Sequence, residues 1–379
     1  MRYYGLQKRS APFRTGFALP LMMLMAAVTA ELPAQHYGTL LPVREHGRYG
    51  FIDENGKVVI PPRFFWAGEF QEGRALVFDC GKYGFIDESG AVVIATKFDA
   101  AGEFAGNGLA PVQLGDKWGF VNRSGELAVP AKFDRALDFS GEGLAGVEVG
   151  GKWGYITADG TFAISPRYYS FQSFAEGLGA VQVQEGEGGA WGFVDHSGKM
   201  IIAPRFEGAT QFSEGLAGAK LRGKWGYIDR GGKVVIEPRF DLPVANFSEG
   251  LALVSVDWKF GYIDHKGIMA IEPRFNVANS FSNGSAHVAI DDQAGFIDHK
   301  GKWVLRFPLG RDLNFFQNGF MALNEVKNGA TGDQWWYMRP DGKIIWQASV
   351  AEEPALEMFH IGASASEHER EIRESCVLR

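Results

Sequence analysis

The sequence predicts an all-β fold in which three-stranded antiparallel units repeat in tandem and stack as an open β-solenoid. Closure into a β-propeller is the alternative. Three observations carry this expectation. An aromatic-Gly-aromatic word recurs at Tyr49-Gly50-Phe51, Tyr83-Gly84-Phe85, Trp118-Gly119-Phe120, Trp153-Gly154-Tyr155, Trp191-Gly192-Phe193, Trp225-Gly226-Tyr227 and Phe260-Gly261-Tyr262, its glycines 34 to 38 positions apart. Ala294-Gly295-Phe296 is a weakened eighth copy, and Trp335-Trp336-Tyr337 stands where a ninth belongs, without the glycine. Two further words keep the same phase: Pro62-Arg63-Phe64, Pro166-Arg167-Tyr168, Pro204-Arg205-Phe206, Pro238-Arg239-Phe240 and Pro273-Arg274-Phe275, and Glu142-Gly143, Glu176-Gly177, Glu214-Gly215 and Glu249-Gly250, each followed by leucine. A fixed period in this range marks stacked supersecondary units.

Each unit reads as three short strands in order. The first is of the Leu-Ala-x-Val type, as from Leu144 to Val149, and ends in a Gly-Lys turn such as Gly151-Lys152. The second carries the aromatic-Gly-aromatic word. Trp225 and Tyr227 face one way, Gly226 and Ile228 the other, so neither face is polar and the strand is covered on both sides. A neighbouring unit's side chains are expected to fill the gap at Gly226. An Asp-x-x-Gly turn follows, as in Asp87-Glu88-Ser89-Gly90. There the aspartate bonds backbone two residues on and the glycine takes positive φ. The third strand is β-branched, as in Val234-Val235-Ile236, and proline is expected to end it. Three strands and about 34 residues fall short of the four strands and roughly 40–50 residues usual for a propeller blade. The first unit begins with its own first strand and the last ends with its own third, which also favours the open array.

These words resemble the WG-repeat family, also called KWG repeats, found widely in bacteria. The resemblance runs over residues 40–346 and implies a β-rich repeat array. It implies no catalytic residue set, because the family has none in common.

The ends differ in substance. Arg2, Lys8, Arg9 and Arg14 precede an apolar run from Phe17 to Val28, and Val28-Thr29-Ala30 supplies small residues suited to cleavage. This layout predicts a signal peptide over 1–30, a short linker over 31–39, the array over 40–348 and a charged tail over 349–379. The expected location is periplasmic or extracellular, with no stable membrane insertion after cleavage. The formal charge of −7 grows more negative once the four leader cations are lost. That argues against nucleic acid as a partner. Cys80 and Cys376 are the only cysteines, enough for one bridge but not for a disulfide scaffold. A hydrophobic content of 46% excludes a disordered array.

Chemistry is sparse. There is no Gly-x-Ser-x-Gly, no phosphate-binding loop and no His-Glu-x-x-His, and no catalytic, cofactor-binding or metal-binding residue is assigned. Asp53, Asp87, Asp195, Asp229, Asp264 and Asp298 read as turn residues. His196, His265 and His299 share one phase, but units stacked at roughly 10 Å hold them too far apart for a common metal. Arg63, Lys97, Lys132, Arg167, Arg205, Arg239 and Arg274 recur once per unit, as do Glu72, Glu142, Glu176, Glu214 and Glu249. Their alternating signs suggest ion pairs along or between units. The recurrent rings could stack on sugars, but burial is the more economical use.

The expected function is therefore a non-catalytic binding or scaffold surface for a protein or a cell-envelope polymer. The alternative is an exported enzyme acting on a polysaccharide through carboxylates of neighbouring units. A binding site is expected where the period breaks: in the glycine-rich loop 184–190, or in 307–336, whose other reading is a cap on the final sheet.

Overall fold

The computed structural model describes residues 40–348, apart from 187–188, 309–310, 316–319, 328–329 and 340–342. The expected leader, linker and tail lie outside the described residues, as does Cys376. Cys80 is disulfide-bonded. Among the described residues no helix is long and apolar enough to cross a membrane.

The described residues form nine antiparallel sheets, spanning 41–64, 66–98, 100–133, 135–168, 170–206, 208–240, 252–275, 277–308 and 311–347. They are the blades of a closed β-propeller, and the open solenoid is overturned. The sixth blade shows the pattern. A short strand, Gly208–Ala209, pairs with Leu216–Leu221, which pairs with Lys224–Asp229, which pairs with Val234–Phe240. The short strand is the inner edge and supplies the fourth strand in seven of the sheets. The Pro-Arg-Phe strand is the outer edge, with alternate residues exposed.

Proline does not end this outer strand: Pro238 sits within it. An outer edge has no further strand to bond, so the missing N–H costs nothing there. The register slips at the proline. Trp225 faces Phe240 while Tyr227 faces Ile236, so the outer strand carries extra residues opposite Gly226. This bulge brings the outer strand's own backbone against the glycine. A Cβ on Gly226 would collide with the Ile236 carbonyl oxygen and come within 2.7 Å of Pro238 N. The gap is therefore filled by backbone of the same blade and not by a neighbour's side chains.

The core lies between blades. Tyr227 and Ile228 are both buried, on opposite faces, as the strand's parity requires. The buried Tyr227 hydroxyl donates to Ala245 O of the following segment at 2.7 Å, and Tyr155 and Tyr262 repeat the bond to Gln172 O and Asn279 O. Burial raises all three phenols above their usual range. Trp225 is only half-buried and packs over Gly208. Tyrosine and phenylalanine carry the core, and tryptophan lies at its margin.

Side-chain packing closes the ring without any sharing of strands. The glycine of each Asp- or Asn-led turn seats on the outer strand of the blade before it: Gly90 on Ile60, Gly125 on Ile94, Gly267 on Ile236. The series continues across the ends, where Gly56 of the first blade seats on Ile345 of the ninth. Leu41, Val43 and Ile52 share one buried cluster with Phe320, Ala322 and Tyr337. Arg339 donates to Glu54 O at 2.9 Å and to Asn55 Oδ1 at 2.9 Å. The segment 307–336 belongs mostly to the ring-closing ninth blade and is not a cap. In that blade Tyr337 faces Trp346 and Trp336 faces Gln347, with no slip between them. Trp336 stands at the position that is glycine in the other blades.

Candidate binding site

The repeated polar residues are consumed by the fold. Asp53 Oδ1 accepts from Asn55 N and Lys57 N, both at 2.9 Å, and Asp195, Asp229, Asp264 and Asp298 do the same in their own turns. Arg63, Arg167, Arg205, Arg239 and Arg274 donate to the turn glycine carbonyl of the next blade, not to the recurrent glutamates. The glutamates in turn accept from backbone: Gly177 N to Glu142, Gly215 N to Glu176, Gly250 N to Glu214 and Gly284 N to Glu249. The expected pairing of the two series is thus corrected. Each meets the neighbouring blade's main chain instead.

The three histidines complete these staples. His196, His265 and His299 place Nε2 on Glu142, Glu214 and Glu249 of the preceding blade at 2.8, 3.0 and 3.0 Å. Each ring stacks on a phenylalanine of its own blade, Phe174, Phe247 or Phe281. In the same phase Arg230 donates to Glu176 O. Among the described residues no three His, Cys, Asp or Glu side chains group as metal ligands. In the 184–190 loop, Gly186 O accepts from Gln182 Nε2 at 2.8 Å, and 187–188 lie outside the described residues.

A different set of residues forms a cavity of about 300 Å³ at the inner rim, where the ends of the chain meet. The first blade contributes Pro42, Arg44 and Tyr49, the second Trp66 to Glu69, the third Glu103 and the ninth Trp335 and Tyr337. Four of these are aromatic and two are carboxylates. The Trp335 indole Nε1 is buried and has no hydrogen-bond partner among the described residues.

The acids come from the inner strands and their continuations. Glu69, Glu103 and Asp138 each precede the phenylalanine that packs under the strand: Phe70, Phe104 and Phe139. The same position holds Ser173, Gln211, Asn246 and Ser280 in the next four blades. One side of the inner rim is therefore acidic. Glycine makes room for the series: a Cβ on Gly68 would lie 3.0 Å from Glu103 Oε1, and one on Gly102 would collide with Asp138 Oδ1. Burial first, then the charges of Glu69 and Asp138, raise the Glu103 carboxyl above its usual range. Burial does the same to Asp138. Among the described residues neither Glu103 nor Asp138 has a hydrogen bond or ion pair. Sequence reasoning passed over these acids because it followed what repeats. The signal was the Gly-Glu pair before phenylalanine in two successive units, followed by Leu137-Asp138 in the third.

The fold defines the class, a β-propeller. The chain belongs to the family of the WG containing repeat, which matches residues 49–82, 83–118, 118–153, 153–186, 191–225, 225–259 and 260–292. Each match begins near the aromatic word and so joins the outer half of one blade to the inner half of the next. No curated protein matches the chain in sequence. In structure it is similar to a eukaryotic initiation factor, at 13% identity and a TM-score of 0.60, over 82% of this chain and 95% of that one. It is also similar to dipeptidyl peptidase 4 of Porphyromonas gingivalis, at 9% identity and a TM-score of 0.52, covering 81% of this chain and 60% of that one. At these identities the likeness is one of fold.

Proposed function

We propose that the chain is an exported binding protein that holds one group of a protein or cell-envelope polymer in the cavity at its inner rim. The observation that carries this reading is the cavity's composition. Tyr49, Trp66, Trp335 and Tyr337 surround Glu69 and Glu103, drawn from four blades that no single repeat could bring together. A cavity of about 300 Å³ is at the small end of ligand sites and admits one sugar ring or one side chain of a larger partner. Export rests on the N-terminal cations, the apolar run from Phe17 to Val28 and the small residues after it. The test is capture of a partner from the exported fraction. Wild-type protein should retain it and Trp66→Ala should lose it, with the variant's melting temperature within a few degrees of wild type. Equal retention by both would refute the assignment.

A second reading is favoured by the raised carboxyl of Glu103 beside Glu69. A carboxyl whose ionisation is opposed by burial, set beside a second carboxyl, suits acid–base hydrolysis of a polymer. Under it, wild type would shorten an envelope polysaccharide and Glu103→Gln would not. An unchanged polymer would refute it and leave the binding reading standing.

A further inference from the structure

The geometry points to an alkylammonium group as what this cavity takes, and this rests on the reading above that the cavity binds a partner. The first argument is an inventory of carboxylates. Turn aspartates accept two backbone N–H groups each, and rim glutamates accept from glycine N–H and from histidine or arginine. Asp99 and Asp134 accept from Lys82 and Lys117 and from Gly115 N and Gly150 N. Glu103, half-buried, and the more exposed Asp138 have no such partner among the described residues. Leaving a carboxylate in that state beside like charges is costly, and a cation placed there removes the cost.

The second argument is the wall. Ring faces attract a cation within about 6 Å, so Tyr49, Trp66, Trp335 and Tyr337 add to the carboxylates instead of competing with them. The methylenes of an alkylammonium would lie against the same rings. A metal ion would find no third ligand of its kind in the lining, which otherwise offers rings, Pro42, Ala67, Gly68 and Arg44. A neutral sugar could stack but would leave Glu103 without a partner. Arg44 is the one cation of the lining, and Glu69 and Asp138 place negative charge next to Glu103.

Gly68 and Gly102 let the carboxylates of Glu103 and Asp138 lie against the backbone of the preceding blade, where a Cβ would press on them.

The test uses the purified full chain and calorimetric titration with 1,5-diaminopentane, with Nα-acetyl-lysine amide, and with 1,5-pentanediol as the neutral isostere. Saturable binding of the ammonium probes, weakened at least about tenfold by Glu103→Gln and weakened by added salt, is expected, with no binding of the diol. Asp138→Asn, which lies outside the lining, should weaken binding by a smaller factor, and circular dichroism should show both variants folded. Tighter binding of the lysine amide would mark a side chain on a peptide as the source, tighter binding of the diamine a free amine; either supports the assignment. Diol binding equal to that of the diamine, or ammonium binding unchanged in Glu103→Gln, would overturn it. The partner capture described above separates the two levels. Loss with Trp66→Ala but not with Glu103→Gln would keep the cavity and reject the cation, while retention by both variants would reject the cavity.

Discussion

The Glu103 carboxylate lies over the backbone of Gly68, so that a Cβ on the glycine would stand 3.0 Å from Glu103 Oε1 and 3.1 Å from the Trp66 ring. Two blades meet here through a missing side chain. Gly68→Ala should therefore displace the free end of Glu103 without disturbing the sheet. The expected result is loss of ammonium binding with a change in stability below about 1 kcal/mol, since alanine also lowers the entropy cost of glycine in a strand. Calorimetry and thermal melting of the same variant check both halves.

The raised carboxyl of Glu103 has a pH signature. Its folded value lies above its unfolded value because burial, then Glu69 and Asp138, oppose ionisation; Arg44 is the cation of the same lining. Between the two values the folded state holds the proton and the unfolded state does not. Stability therefore falls as pH rises from the ordinary carboxylate range through the raised one. Glu103→Gln should flatten this fall, leaving the part that Asp138 contributes. Melting temperatures of wild type and variant from pH 4 to 7 test it, and identical slopes would contradict it.

Gly226 answers to its own sheet. Its hydrogen faces the Ile236 carbonyl and Pro238 N, both backbone atoms that cannot swing aside. Gly226→Ala should cost about 1–3 kcal/mol, the usual range for forcing atoms into a packed site. Denaturant unfolding measures this. Replacing Trp336 by glycine in the ninth blade should bring no matching gain, since that blade already seats a side chain there with its paired residues in register.

At the junction of first and ninth blades, Arg339 bonds Glu54 O and Asn55 Oδ1. Arg339→Ala should cost about 1–2 kcal/mol, as for a charge-assisted hydrogen bond that is partly exposed. Hydrogen exchange should then rise first in 41–64 and 320–348. A uniform rise around the ring would argue against a weak point there.

The strand order within a unit was legible because it rests on local chemistry: Asp-x-x-Gly turns, β-branched runs and the parity of Trp225 and Tyr227. The inner strand was not, because Gly208–Ala209 is two residues long and carries no periodic signal. Nor was closure, since it depends on a small rotation repeated between units, which no single residue encodes. Leu41 and Phe320 meet only when nine such rotations sum to a circle. The partners of the repeated arginines were hidden for a related reason. Arg205 reaches the Gly232 carbonyl, and backbone acceptors leave no mark on composition. The acids of the cavity were hidden by their irregularity: Glu69, Glu103 and Asp138 occupy a position that is serine, glutamine or asparagine elsewhere.

The central claim is that the ends of the array meet, because the cavity exists only where they do. Spin labels at Lys57→Cys and Gln347→Cys test it by pulsed dipolar spectroscopy. Both positions are exposed, and Gly56 touches Ile345 nearby. A closed ring predicts a separation below about 30 Å, given the reach of one or two residues from that contact plus the labels. An open array stacked at roughly 10 Å per unit would separate the same labels by about 80 Å, and a distribution centred there would contradict the ring and the cavity with it.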